Sequence, residues 1–157
     1  MQARLKNPAA LLSDAMQPLV ALGKLAYESG KIPAKTLGLV HVRVSQINGC
    51  AACLDMHHRQ DKATAAKGGE TDDRLFFVSA WRDHPSFTDA ERAALALAEA
   101  ETRLADREDP VPDAVWNEVA RHYDAQALAT LVLFIGMVNL YNRLNVTTRQ
   151  VPGAQSW

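Results

Sequence analysis

The sequence predicts an all-α protein, a compact bundle of about six to seven helices that oligomerises through helical faces. Three observations carry this. Apolar residues recur at helical spacing in segments cut apart by Gly30, Asn48-Gly49, Gly68-Gly69, Pro85, Pro110 and Pro112. Helix-start signals stand where segments open, most clearly Thr88-x-x-Glu91, in which each residue's side chain caps the other's backbone N–H. The one stretch that alternates as a strand does, Val40, Val42 and Val44 against His41, Arg43 and Ser45, has no convincing partner strand, and a lone strand is not viable.

Taken in order, a helix runs from about Asp14 to Ser29 after Pro8 and Ser13. Met16, Leu19, Val20, Leu22, Leu25 and Ala26 form its broad apolar face, and Gly30 follows where a C-cap prefers glycine. Ile32-Pro33-Ala34 opens the next element, with proline near a first turn. The segment Leu37–Ile47 taken alone reads as a strand. From Ala51 to about Lys67 there is neither Gly nor Pro, so a helix runs until Gly68-Gly69 stops it. Thr71-Asp72-Asp73 caps a short helix through Trp81, and Arg82–Phe87 is a loop. An Ala-rich helix spans Asp89 to about Leu104, with Ala94, Leu95, Leu97 and Ala98 inward. Pro112 to His122 is a short helix containing Trp116, and Ala125 to about Val146 is the last, before a loose tail. That last helix points Leu131, Phe134, Ile135, Val138 and Leu140 around much of its circumference. It must be buried on more than one side, which predicts association of copies.

A chain of 157 residues is one domain, 1–157, large enough for a single core. Its 48% hydrophobic and 22% charged residues are ordinary for a soluble globular protein, and a net charge of −1 speaks against nucleic acid or an anionic membrane as partner. Met1–Lys6 is polar, with no secretory h-region, and the apolar run Ala127–Leu140 is too short to span a bilayer. Two cysteines without an export signal point to a reducing, cytoplasmic setting, where C-x-x-C is more often redox-active or metal-binding than structural.

The chemistry concentrates in Asn48-Gly49-Cys50-Ala51-Ala52-Cys53-Leu54-Asp55-Met56-His57-His58, which holds both cysteines of the chain. At helical spacing Cys50, Cys53 and His57 share one face, with Cys50 near a helix N-terminus. Thiolate is the reactive form of cysteine, with a free pKa of about 8.5, and a helix N-terminus stabilises the anion. A histidine one turn on can take the proton, and the second sulfur can resolve an oxidised first one into a disulfide. Three other readings stand beside this: two inert buried thiols, a structural disulfide, and a zinc site. Zinc wants four ligands; Cys50, Cys53 and His57 give three, His58 points about 100° away from His57, and His41 is the one candidate for a fourth. Outside this stretch, His84 and His122 read as surface residues, Trp81 and Trp116 as core or interface. Asp55 reads as solvated or paired with a base. Asn139, Asn142 and Arg143 are polar on an apolar helix and need partners, as a cap or inter-subunit contact or by exposure.

The run Val42 to His57 resembles the core motif of the alkylhydroperoxidase-D-like (AhpD-like) proteins of the carboxymuconolactone decarboxylase superfamily. Val138–Val146 resembles the same family's last long helix, and Trp81-Arg82 and Phe87–Leu95 are similar too, so the resemblance covers about residues 15 to 149. It implies that Leu37–Ile47 is a helix beside the cysteine helix. It implies a thiol-dependent peroxidase or disulfide reductase acting on a hydroperoxide and reset by an external dithiol or protein reductant, a peroxiredoxin among the candidates. Cys53 would be the attacking sulfur, Cys50 the resolving one, and His57 the base, with no bound cofactor or metal and a homotrimer or homohexamer as the assembly. Two departures matter: the family's relay glutamate, twelve residues before the first cysteine, is Gly38 here, and Ala52 stands where some members carry a histidine. His41, three residues on from Gly38, would either reach into the vacated space as a second base or be a surface histidine. The competing readings are a decarboxylase of the wider superfamily, which needs no dithiol, and a zinc-binding or assembly module without enzymatic activity.

Overall fold

Eight α-helices and one 3-10 turn make up the regular structure of the described residues, 2–12, 14–64, 70–105 and 107–154, the side chains of 61–64 excepted, in a computed structural model. The helices are α1 (Pro8–Leu11), α2 (Met16–Glu28), α3 (Ala34–Ile47), α4 (Ala51–Thr64), α5 (Asp72–Phe77), α6 (Asp89–Thr102), α7 (Asp113–His122) and α8 (Ala125–Thr148), with the 3-10 turn Val78–Ala80 after α5. The sequence reading accounts for seven of the eight. The addition is the single turn α1, capped by Asn7, whose side chain accepts from the Ala9 N–H, with Pro8 in its first position. Ser13, Asp106 and the Gly68-Gly69 stop lie outside the described residues.

The bundle is built round α3, which packs against α4, α6 and α8. This is why its valines mislead. Thr36, Leu37, Gly38, Leu39, Val40, His41, Val42, Val44 and Ser45 are all buried, so no polar face remains to set a helical period. Leu37, Val40 and Val44 join Ala94, Leu97 and Ala98 of α6 and Leu131, Phe134, Ile135 and Val138 of α8 in the main core. Each of the Leu, Val, Ile and Phe side chains among these, fully buried, stabilises the fold by about 1.5–3 kcal/mol. Helix α6 starts at the Thr88–Glu91 capping box. Its Glu99 ties three segments together: Arg43 of α3, Trp81 Nε1 and Arg82 beside the 3-10 turn, and Arg103. Burial works against that charge, but hydrogen bonds from Arg82, Trp81 and Arg43 hold the Glu99 carboxyl down at about 2.

Helix α8 has 24 residues, longer than the apolar run suggests, and by length and composition it is long enough to cross a membrane. Here it is the core helix, with more than half of its most apolar window buried in the protein. Helix α2 departs from expectation in the opposite way: only Ala26 is buried, while Val20, Leu25 and Tyr27 are exposed, because α2 packs chiefly on α8. Residues 151–154 of the tail lie against α4, where a Cβ on Gly153 would meet the Arg59 guanidinium.

Candidate functional site

The turn between α3 and α4 delivers the cysteines. The Cys50 N–H reaches the Ser45 carbonyl at 2.9 Å and the Gly49 N–H that of Gln46 at 3.3 Å, the paired bonds of a Schellman motif. Gly49 sits at φ 65°, the left-handed position this motif requires. The chain therefore reverses and α4 begins directly after Cys50. Cys50 and Cys53 are joined in a disulfide with Cα atoms 5.3 Å apart, and each is 1% exposed. The Cys53 N–H donates to Cys50 Sγ at 3.3 Å.

The second layer comes from α8. Asn142 Nδ2 donates to Cys53 Sγ at 3.1 Å and Asn145 Nδ2 at 3.2 Å. Groups that can only donate or only accept fix the direction of both amides. The Ala9 N–H must donate, so it takes Asn7 Oδ1; Asn7 Nδ2 then donates to Asn145 Oδ1 at 2.7 Å, and the Asn145 N–H faces the sulfur. At the other end, the Ile135 carbonyl takes Asn139 Nδ2, so Asn139 Oδ1 accepts from Asn48 Nδ2. Asn48 Nδ2 also serves Asn142 Oδ1, which turns the Asn142 N–H to Cys53 and to Ser45 Oγ. Two N–H donors on one buried sulfur favour its anionic form, as hydrogen bonds to a charged acceptor do.

The histidines form a stacked pair. The His41 and His57 rings lie 4.5 Å apart and 15° from parallel, both buried. Desolvation, and the neighbouring His57 charge, lower His41 to about 3; desolvation lowers His57 to about 4. Both are neutral at pH 7 and available as proton acceptors. Gly38 lies against this pair: a Cβ there would stand 3.1 Å from His57 Nε2. Thus His57, not His41, is what borders the position of the family glutamate, and a side chain at 38 needs His57 to move. His41 is not a surface residue; the burial of α3 on all sides encloses it.

Two cavities flank the disulfide. One, about 200 Å³, is lined by Cys53, His41 and His57 together with Met16, Met56, Met137, Tyr27 and Phe134. The other, about 380 Å³, is lined by Cys50, Gly49, Gln2, Gln150 and Arg149. Asn145 lines both and is the wall between them.

The structure thus brings Cys50, Cys53, His57 and His41 together. It turns His58 away to Asp72, at 3.5 Å, and pairs Asp55 with Arg59 at 2.9 Å. His84 stacks on Phe77 at 4.1 Å, His122 lies 3.3 Å from Glu118, Trp81 is buried, and Trp116 is 43% exposed. Asn139 and Asn142 are neither exposed nor left for a neighbouring subunit; they are buried, because the sulfur and Asn48 supply the polar partners that an apolar helix lacks. Arg143 donates back to Asn139. The sequence reading missed Asn7, Ser45, Asn48 and Asn145. The available signal was the spacing of Asn139, Asn142 and Asn145 by threes along one helix. Among the described residues no three His, Cys, Asp or Glu side chains are grouped to hold a metal ion.

The carboxymuconolactone decarboxylase family model matches residues 13–100. The uncharacterised protein YdfG of Bacillus subtilis is 35% identical over 133 residues, which cover 85% of this chain and 86% of YdfG. The uncharacterised YnjA of Escherichia coli is 38% identical over 107 residues, 68% of this chain and 55% of YnjA. Among solved structures, the ATU0492 protein of Agrobacterium tumefaciens, of unknown function and suggested to be an AhpD antioxidant defence protein, superposes with a TM-score of 0.85. It is 28% identical, and the match covers 98% of this chain and 100% of that one. The debrominase Bmp8 shares the fold at a TM-score of 0.78 and 20% identity, over 92% of this chain and 74% of that one; an alanine variant of it has been solved with 2,3,4-tribromopyrrole. By the family match and the likeness to YdfG and ATU0492, the chain belongs to the carboxymuconolactone decarboxylase family as one of its AhpD-like members.

Proposed function

We propose that the protein is a thiol-dependent peroxidase and disulfide reductase in which Cys53 attacks an organic hydroperoxide and Cys50 resolves it. The observation that carries this reading is the setting of Cys53: two amide N–H donors on the sulfur, in the wall of an apolar cavity shared with two neutral histidines. His57 takes the Cys53 proton. The thiolate attacks the outer peroxide oxygen, an S–O bond forms, the O–O bond breaks, and the alcohol leaves with the proton that His57 returns. Cys50 then attacks the Cys53 sulfur, water departs, and the disulfide seen here results; the peroxide has gained the two electrons the dithiol has lost. His41 packs on His57 and keeps it desolvated, which makes it a positioning residue. An external thiol reductant restores the thiols, and the working form is a homo-oligomer, a trimer or hexamer.

The cavity favours an apolar substrate over the acidic lactone of a decarboxylase: among the described residues its lining contains no Lys or Arg to hold a carboxylate, and both its histidines are neutral. Its aromatic and methionine walls do suit a flat apolar ring. The debrominase relative therefore motivates a second substrate class, haloaromatics, which the same dithiol would reduce at the carbon–halogen bond. Counting thiols before and after one equivalent of hydroperoxide tests the first reading, with each cysteine replaced in turn by serine. Two thiols are lost in the wild type, and the Cys50→Ser protein stops at a sulfenic acid on Cys53. Two thiols surviving in the wild type would end the peroxidase reading, and halide release from a bromopyrrole would then support the second.

A further inference from the structure

The two sulfurs face two different chambers, and the difference bears on how the disulfide is reopened, given the redox reading above. Cys53 and the histidines border the apolar cavity, while Cys50 borders the larger one, whose lining among the described residues carries a single ionisable side chain, Arg149. We infer that the reductant is a small anionic thiol that enters this second cavity and attacks Cys50, leaving Cys53 as the departing thiolate.

Three independent features lead there. Thiol–disulfide exchange runs faster when the departing thiolate is the better stabilised one, and among the described residues Cys53 holds the two amide donors while Cys50 receives only the Cys53 N–H. An attacking thiolate aimed at Cys53 would have to shed its water into an apolar cavity beside neutral histidines, which is costly. Both cysteines are 1% exposed, so a sulfur presented on a flat protein surface cannot reach them, whereas the 380 Å³ cavity has room for a small molecule.

Arg149 supplies the preference for charge. It ends α8 in a second Schellman motif, with the Gln150 N–H on the Asn145 carbonyl at 2.9 Å, and stands at φ 52° in the position glycine normally takes. A side chain there is strained relative to glycine. Among the described residues, the one that bears this strain is also the only ionisable side chain lining the cavity at Cys50.

The step balances. The reductant's sulfur bonds to Cys50 Sγ, the Cys50–Cys53 bond breaks, and its electron pair leaves on Cys53. A second equivalent of thiol attacks the reductant's sulfur in the mixed disulfide and frees Cys50, so two thiols become one disulfide and the protein gains two electrons and two protons.

The test uses the oxidised protein with mercaptopropionate as the anionic probe, quenched with acid and N-ethylmaleimide. Peptide fragmentation is expected to show the probe on Cys50 and the maleimide on Cys53; the reverse overturns the inference and leaves the peroxidase reading intact, since that reading fails only if peroxide does not form the disulfide. Reduction rates per thiolate for mercaptopropionate and cysteamine at low ionic strength are expected to differ about five-fold in favour of the anion. Arg149→Gly, which suits the left-handed backbone and therefore folds, should abolish that ratio with no loss of thermal stability. An unchanged ratio in this variant overturns the assignment of the charge preference to Arg149.

Discussion

At the scale of single residues, the site is a sulfur held by amides whose direction is set far from it. Asn145 points its N–H at Cys53 because Asn7 occupies its oxygen, and Asn7 is oriented in turn by the Ala9 N–H. A hydrogen bond to a charged acceptor contributes about 1.5–3 kcal/mol. In a Cys50→Ser background, Asn145→Ala or Asn142→Ala should therefore slow alkylation of Cys53 by iodoacetamide about ten-fold at pH 6, with the rate at high pH unchanged. Asn7→Ala should shift the profile in the same direction by less. Superimposable pH profiles for all three variants would show that the amides do not tune the sulfur. The sequence marked Asn142 as needing a partner but not which partner, because an asparagine on an apolar helix looks the same whether a thiol or solvent meets it. Cys50, Cys53 and His57 were legible, since their spacing alone puts them on one helix face.

At the scale of elements, local signals told true where a helix end is made by its own residues, as at Thr88–Glu91, Gly30 and Gly49. They misled at α3, where alternating valines reflect burial on every side rather than a pleated strand. They misled again at α2, whose apolar face is largely uncovered. The α6–α8 contact carries an electrostatic cost. Glu101 of α6 lies near Gly136 of α8, its Oε2 buried with no hydrogen-bond partner among the described residues, and desolvation raises its carboxyl to about 7. An unfolded glutamate loses its proton near 4.5, whereas the folded one keeps it until about 7. Between those values the folded state binds more protons, so this stabilising contribution is full below pH 4.5 and is lost as the pH rises to 7. Glu101→Gln should leave stability unchanged at pH 4 and raise it by about 1 kcal/mol at pH 8, a figure reduced for partial exposure. Urea unfolding at the two pH values checks this, and equal differences at both would rule out a titrating Glu101.

For the whole molecule, uncovered apolar side chains cluster on several helices. Leu11, Leu12, Val20 and Leu25 stand on α1 and α2 or between them, Phe76 is 75% exposed on α5, and Val132, Leu133 and Leu140 line the outer side of α8. A single copy leaves these faces to water, and patches of this kind mark association surfaces. Light scattering at micromolar concentration should return a multiple of the 17.2 kDa chain mass, three-fold or six-fold on the proposal above. A monomer mass would remove the oligomer and leave α2 as an open flank of the apolar cavity.

Asn145 stands as a shared wall, with one chamber at Cys53 and another at Cys50. An enzyme that shuttles between two chemical forms usually receives both substrates at one place, so each substrate in excess occupies the form meant for the other. Separate chambers remove that conflict. Initial rates over a grid of concentrations should give parallel double-reciprocal lines, and hydroperoxide far above its KM should leave the apparent KM for thiol unaltered. Competitive inhibition of the thiol by excess hydroperoxide would mean that oxidant and reductant enter by the same door.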